Sequence, residues 1–352
     1  MISFVNDYSE VGHPKIINKV LSLTGEKNPG YSSDEHTKNA IELIRKKTKC
    51  PDAYVQILVI GTQANLVAAT AFLRPHEALI TVETGHVFEH EVGSIESTGH
   101  KCISVQGKNG KITINDLTKV CGDKHWGKAG ILNVKPKLVY ISQTTEVGTF
   151  YTENELRELS EFCNEYNMYL YCDGARLASG IDCSDVGFEQ LAKYCDAFYI
   201  GGTKNGAIMG EAMVIINDKL KEDFFSIAKQ RGCILSKGFL LGSQFETLLS
   251  NNLYEEIGRH QNKMADYLRE GLRELDIPIN YESRTNQIFA NFENSVLFEL
   301  KNKFVWETIS KVNDDTTEIR LVTSWSTTKE EVDEFISSIR EIINNDNETE
   351  QI

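Results

Sequence analysis

The sequence predicts an α/β protein, with a mainly parallel central sheet, helices on both faces, and a smaller C-terminal α+β domain. Two observations carry that reading. From about residue 34, short apolar strands alternate with helical patterns. After residue 218 the alternation stops, and a long amphipathic helix leads into strands of alternating polarity. The chain has 352 residues, 41% hydrophobic and 25% charged, which is long enough and apolar enough for a substantial core.

The elements follow in order. "SDEHTKNAIELIRKK" reads as a capped amphipathic helix and "AYVQILVI" as a strand. "TQANLVAATAFL" is helical again, and "EALITV" and "KCISV" are strands. "KLVYIS" and "MYLYCD" flank the helical "TENELRELSEFCNEYN", where Thr152 and Glu155 have capping-box spacing. The strands "DAFYIG" and "EAMVII" close the series. A helix then carries apolar residues at Leu253, Ile257, Met264, Leu268, Leu272 and Leu275. "NQIFANF" and "EIRLVTSW" alternate like strands, and the last helix places Val332, Phe335, Ile336, Ile339, Ile342 and Ile343 on one face. The expected organisation is an N-terminal arm (1–33), a large α/β domain (34–250), a small domain opened by a connecting helix (251–345) and a polar tail (346–352).

Composition excludes several functions. A formal charge of −14 argues against nucleic acid, which requires clustered lysine and arginine. The N-terminal "MISFVNDYSEV" lacks a basic region followed by an apolar run, and no segment is apolar for long enough to span a bilayer. None of the eight cysteines forms a C-x-x-C pair, so the expectation is a cytoplasmic protein with reduced thiols and no metal.

In open parallel sheets, ligands bind beyond the carboxyl ends of the strands. Residues just after the strands here are Gly61-Thr62-Gln63, Glu83 to His86, Ser142 to Thr144, Asp173 to Arg176, and Gly201 to Lys204. "GTQAN" lies between a strand and a helix, where free N–H groups and the helix dipole favour a phosphate. Neither a Walker loop nor a G-x-G-x-x-G fingerprint is present, which removes the main support for ATP or NAD. An aspartate at position 173 could keep a heterocyclic nitrogen protonated while Lys204 forms an imine with the same cofactor's aldehyde, the arrangement pyridoxal 5'-phosphate needs. Burial among small residues would make that lysine nucleophilic. His86 could lie on the ring or exchange protons, and Arg176 and Arg320 could hold a substrate carboxylate.

Taken in order, "GTQAN", "GH" with Glu91 five residues after His86, "DGARL", the lysine after a short strand, and "RLVTSW" resemble the threonine aldolase group of β-eliminating lyases, which are fold-type I pyridoxal-phosphate enzymes. The resemblance runs from "NDYSE" to "RLVTSW". It implies that Lys204 is the Schiff-base lysine, Asp173 the pyridinium partner and His86 the ring-stacking residue. Gly61 and Thr62, with Gln63 beside them, would bind phosphate, and Arg176 and Arg320 the substrate carboxylate. Asn6 stands where the family has a serine near the substrate, and Tyr31 matches a tyrosine supplied by a neighbouring subunit. The implied assembly is a homodimer or homotetramer with shared sites.

The chain departs from the family in three places. "TKNGAIMG" replaces the usual lysine motif, "QTTEVG" replaces an E-N-T stretch, and "KQRGCILSKG" replaces a glycine-rich segment, with Arg231 and Lys237 as its cations. The family's second histidine has no counterpart at the matching place, His125 being the nearest. The expected reaction is retro-aldol cleavage of a β-hydroxy-α-amino acid such as threonine or allo-threonine to glycine and an aldehyde, with His86 or a water it orients as the base. β-Elimination, racemisation and binding without turnover stay open on the same residues.

Overall fold

The computed structural model describes residues 1–122 and 132–349, so His125 lies outside the described residues, as do positions 350–352 of the tail. The strands are β1 (Ile2–Ser3), β2 (Tyr54–Leu58), β3 (Glu77–Val82), β4 (Lys101–Val105), β5 (Lys135–Ser142), β6 (Tyr169–Asp173), β7 (Ala197–Gly201), β8 (Glu211–Ile215), β9 (Gln287–Glu293), β10 (Phe304–Val305), β11 (Glu307–Lys311) and β12 (Thr316–Val322). Seven of them form the main sheet in the order β2-β8-β7-β6-β5-β3-β4. Only β8 runs against its neighbours, β7 and β2, and the remaining pairs are parallel.

Alternation along the strands explains why the sheet is covered twice. Val55, Ile57, Ile80, Val139, Ile141, Phe198 and Ile200 point into one core. Leu79, Leu138, Tyr140, Tyr171, Tyr199 and Met213, one residue out of phase, point into the other. β3, β7 and β8 are buried at every residue, which is why they read as unbroken apolar runs. Helix starts follow the capping signals: Asp34 accepts from the Thr37 amide, and Thr152 and Glu155 form the expected reciprocal box.

The helix Leu253–Glu274 links the two parts of the molecule. Its first half places Leu253, Tyr254 and Ile257 in the large core, and its second half places Ala265, Leu268 and Leu272 in a smaller one. That smaller core backs an antiparallel sheet, β11-β12-β9. The chain's start joins the same region, because β1 pairs with β10 and the Val322 amide donates to the Phe4 carbonyl. Residues 6–8 are thereby held at the cleft between the two sheets. The closing helix, Lys329–Thr349, extends past the apolar pattern that ends at Ile343. Among the described residues, no helix is long and apolar enough to cross a membrane.

Candidate active site

The carboxyl ends of β5, β6 and β7 open into a cavity of about 390 Å³. Its walls bring together Gly61, Thr62, His86, Asp173, Arg176 and Lys204, which are far apart in the chain. A second space of about 250 Å³ adjoins it, sharing Tyr8, His86, Glu146, Arg176 and Lys204 and adding His90, Glu307 and Arg320.

Asp173, the last residue of β6, is held from every side. Its Oδ2 accepts from the Tyr140 hydroxyl at 2.6 Å and from Asn65 Nδ2 at 3.2 Å. Its Oδ1 accepts from the Tyr199 hydroxyl at 2.5 Å and from the Ala175 amide at 2.9 Å. Tyr171 in turn donates to Asn65 Oδ1, so neighbouring strands clamp one carboxylate. The result is a fixed negative charge at the cavity wall.

Lys204 lies in the turn after β7. Burial pushes its ammonium below the ordinary lysine range, and the Arg176 cation pushes it further. Its Nζ lies 5.8 Å from the centroid of the Tyr8 ring. The turn is fixed by Asn205, which donates to the Gly201 and Ala175 carbonyls, and by Gln261, which donates to the Lys204 carbonyl. Glu211 sits beside it, accepting from the Gly202 amide at 3.0 Å, and burial pushes its carboxyl up to about 8.

The helix Gly61–Phe72 starts at the opposite wall, after Ile60, which offers no side-chain cap. Its first amides thus keep their donors for an anion. A Cβ at position 61 would meet the Tyr199 hydroxyl at 3.0 Å, so glycine keeps this seat open. Gln63 does not reach the cavity; its Oε1 accepts from the Val59 amide.

His86 Nδ1 lies 2.8 Å from Glu91 Oε1, and the same oxygen accepts from Asn65. Ser94 donates to the other oxygen of Glu91, which is buried behind the histidine. An acceptor on Nδ1 favours the tautomer whose Nε2 carries the lone pair.

The two arginines already hold protein carboxylates. Arg176 donates from Nε and Nη2 to the buried Asp7 at 2.7 and 3.0 Å, and Asn286 donates to the same aspartate. Burial would raise the Asp7 pKa, but Arg176 and Lys204 hold it below the usual carboxylate range. Arg320 pairs with Glu307, its cross-strand partner, and also contacts Gln287 Oε1 at 3.4 Å, while its buried Nε finds no partner among the described residues.

Other expected residues fall elsewhere in this chain. Asn6 Oδ1 closes a local turn with the Tyr8 amide and Ser9 hydroxyl, while Asp7 and Tyr8 occupy the site. Tyr31 is 51% exposed under the Lys229 ammonium, and neither it nor Arg231 nor Lys237 lines the cavity. Sequence reasoning missed Asp7, Tyr8, Asn65, Glu146, Glu211, Glu307 and the tyrosines at 140 and 199. A signal existed for the tyrosines, since Tyr140 pairs with Tyr171, and Tyr171 shares its strand face with Asp173.

A buried acid, a desolvated lysine and an uncapped helix start around one cavity, on this sheet order, define a fold-type I pyridoxal-phosphate enzyme. The chain belongs to the β-eliminating lyase family, whose model matches residues 25–295. It is 30% identical to a low-specificity L-threonine aldolase of Pseudomonas sp. (strain NCIMB 10558), over 89% of this chain and 90% of that protein. It is similar to the structure of Leishmania major threonine aldolase with a TM-score of 0.95 and 41% identity, covering 97% of this chain and 100% of the other. An aromatic aminotransferase from Pyrococcus horikoshii shares the fold at TM-score 0.71 and 15% identity, covering 98% of this chain and 96% of the other.

Proposed function

We propose that this lyase cleaves a β-hydroxy-α-amino acid of the threonine type to glycine and an aldehyde, using pyridoxal 5'-phosphate. The observation that carries the reading is the single cavity onto which Asp173, Lys204 and the start of the helix at Gly61 all face. The names of the relatives support the substrate class.

The residues present suit the cofactor. The uncapped amides at Gly61 and Thr62 suit its phosphate, Asp173 suits its ring nitrogen, and Lys204 suits its aldehyde. His86, held by Glu91, lies where a ring could rest against it. When bound, pyridoxal phosphate supplies an electron sink for the bond that breaks.

The chain's own groups do the rest. Four donors fix the Asp173 carboxylate, which would hold the cofactor's ring nitrogen in its protonated form. Burial and Arg176 disfavour the charged form of Lys204, which would leave its amine suited to hold the cofactor's aldehyde. Arg176 and Arg320 bind the substrate carboxylate and so set which bond at the α-carbon faces the sink. His86 takes the β-hydroxyl proton on Nε2 while Glu91 holds Nδ1. The Cα–Cβ bond then breaks and the aldehyde leaves. No observation in the site favours β-elimination, racemisation or binding without turnover.

The assembly we infer is a homodimer or homotetramer with shared sites. Support comes from Tyr8 and Ile60, large apolar residues exposed at the cavity, and from Tyr31, Arg231 and Lys237, which do not line their own chain's site. The test of function is to incubate the purified protein with threonine, allo-threonine and phenylserine and to assay glycine and aldehyde, with Lys204→Ala as control. Equimolar glycine and aldehyde from the wild type alone supports the reading. Pyruvate and ammonia instead would move it to β-elimination.

A further inference from the structure

Two carboxyls on the cavity wall, Glu146 and Glu211, take no part in the reaction as described, and of the two only Glu146 lines both adjoining spaces. The chain leaves β5 at Ser142 and turns through Thr144, so that Glu146 forms part of the wall of both adjoining spaces. Its Oε1 accepts from the Ser142 hydroxyl at 2.6 Å and from the His86 amide at 3.1 Å. Its Oε2 is buried with no hydrogen-bond partner among the described residues, and so is the Thr144 hydroxyl beside it. The other charged or titratable groups around the same two spaces are Tyr8, His86, Asp173, Arg176, Tyr199, Lys204 and Glu211 in one, with His90, Glu307 and Arg320 added in the other.

A glutamine would keep both contacts of Oε1 and would avoid burying an ionisable group, so shaping the turn does not require an acid. An acid in this place supplies something an amide cannot, which is an exchangeable proton next to the cleft. The retro-aldol reaction needs one. A proton leaves the β-hydroxyl oxygen, and a proton must afterwards reach the α-carbon to complete glycine.

We propose that Glu146 is the proton carrier of this site, delivering its proton to the α-carbon of the product glycine and regaining the one His86 removes from the β-hydroxyl. The balance closes. The O–H and Cα–Cβ bonds break, the aldehyde C=O and the Cα–H bond form, and no net proton is gained or lost. Burial raises the Glu146 pKa against the opposing Ser142 hydrogen bond, and the Asp173 charge raises it further. The inference rests on the aldolase reading for its substrate.

The experiment uses the holoenzyme in D2O and follows loss of the glycine α-proton signal by NMR, a readout independent of aldol cleavage. Glu146→Gln should slow exchange by about 10²-fold, the scale of losing a positioned acid. Its cofactor absorption and its dissociation constant for glycine should hold, and Glu146→Asp should restore part of the rate. Wild-type exchange in Glu146→Gln, or loss of exchange only in step with lost glycine binding, overturns the proposal, as does a wild type that does not exchange at all. A wild type that exchanges glycine yet releases none from threonine overturns the aldolase reading instead.

Discussion

The two ends of the site are built differently. At the ring-nitrogen end, Asp173 has four protein donors and no freedom to move. At the end proposed for the substrate carboxylate, Arg176 and Arg320 hold Asp7 and Glu307, and among the described residues Arg320 keeps a buried N–H unpaired. On the proposed reading the first end serves a cofactor that stays, and its electrostatics are preorganised. The second would serve a substrate that comes and goes, and protein carboxylates balance its cations. Asp7 and Glu307 differ in the same way. Asp7 is buried and triply held, whereas Glu307 begins the edge strand β11, next to an irregular register at Thr308 to Ser310.

The largest expected effect comes from the fixed end. Asp173→Asn keeps the size and some of the hydrogen bonds but removes the charge, so kcat should fall on the order of 10³-fold, as when a preorganised electrostatic group is lost. Steady-state kinetics at saturating substrate checks it. A loss below about tenfold would mean that the tyrosine and asparagine donors matter here only for folding.

Glu211 sharpens the comparison through stability. It is a buried acid near Lys204 whose carboxylate, unlike that of Asp173, has few donors, and burial pushes it up to about 8 from an ordinary 4.5. The folded protein therefore binds this proton more tightly than the unfolded chain does. The stabilising contribution is fully present below about pH 4.5 and is lost as pH rises to about 8. Glu211→Gln cannot titrate, so its unfolding free energy should gain on the wild type between pH 5 and 8, by an amount on the order of a few kcal/mol at most. A pH-independent difference would show that Glu211 is ionised in the fold.

The smallest effect belongs to the exchangeable end. Glu307→Gln should lower the KM for threonine by about threefold, the scale of a partly solvent-facing ion pair, because the substrate carboxylate no longer competes for Arg320. An unchanged or higher KM would make Glu307 a strut for Arg320 instead.

Much of the fold was legible because it rests on local signals. The strands that lead into "GTQAN", "DGAR" and "GGTK" could be placed from their apolar runs, and the caps at Asp34 and Thr152 from side-chain chemistry. The same runs located Asp173 and Lys204, which sit at strand ends where position alone implies a ligand. The partners of those residues were less legible. Tyr140 and Tyr199 look like core aromatics until strand pairing sets them against Asp173, and Asp7 meets Arg176 only because β1 pairs with β10 far along the chain. Asn6 shows the same limit in reverse, since one residue of register decides whether an arm side chain enters the site or closes a turn.

Borohydride reduction of the protein loaded with pyridoxal phosphate, followed by peptide mass mapping, tests the central claim most directly. The account predicts one pyridoxyl group per chain, carried on Lys204 and absent from Lys204→Ala. Labelling spread over surface lysines, or a Lys204→Ala variant labelled like the wild type, would contradict it.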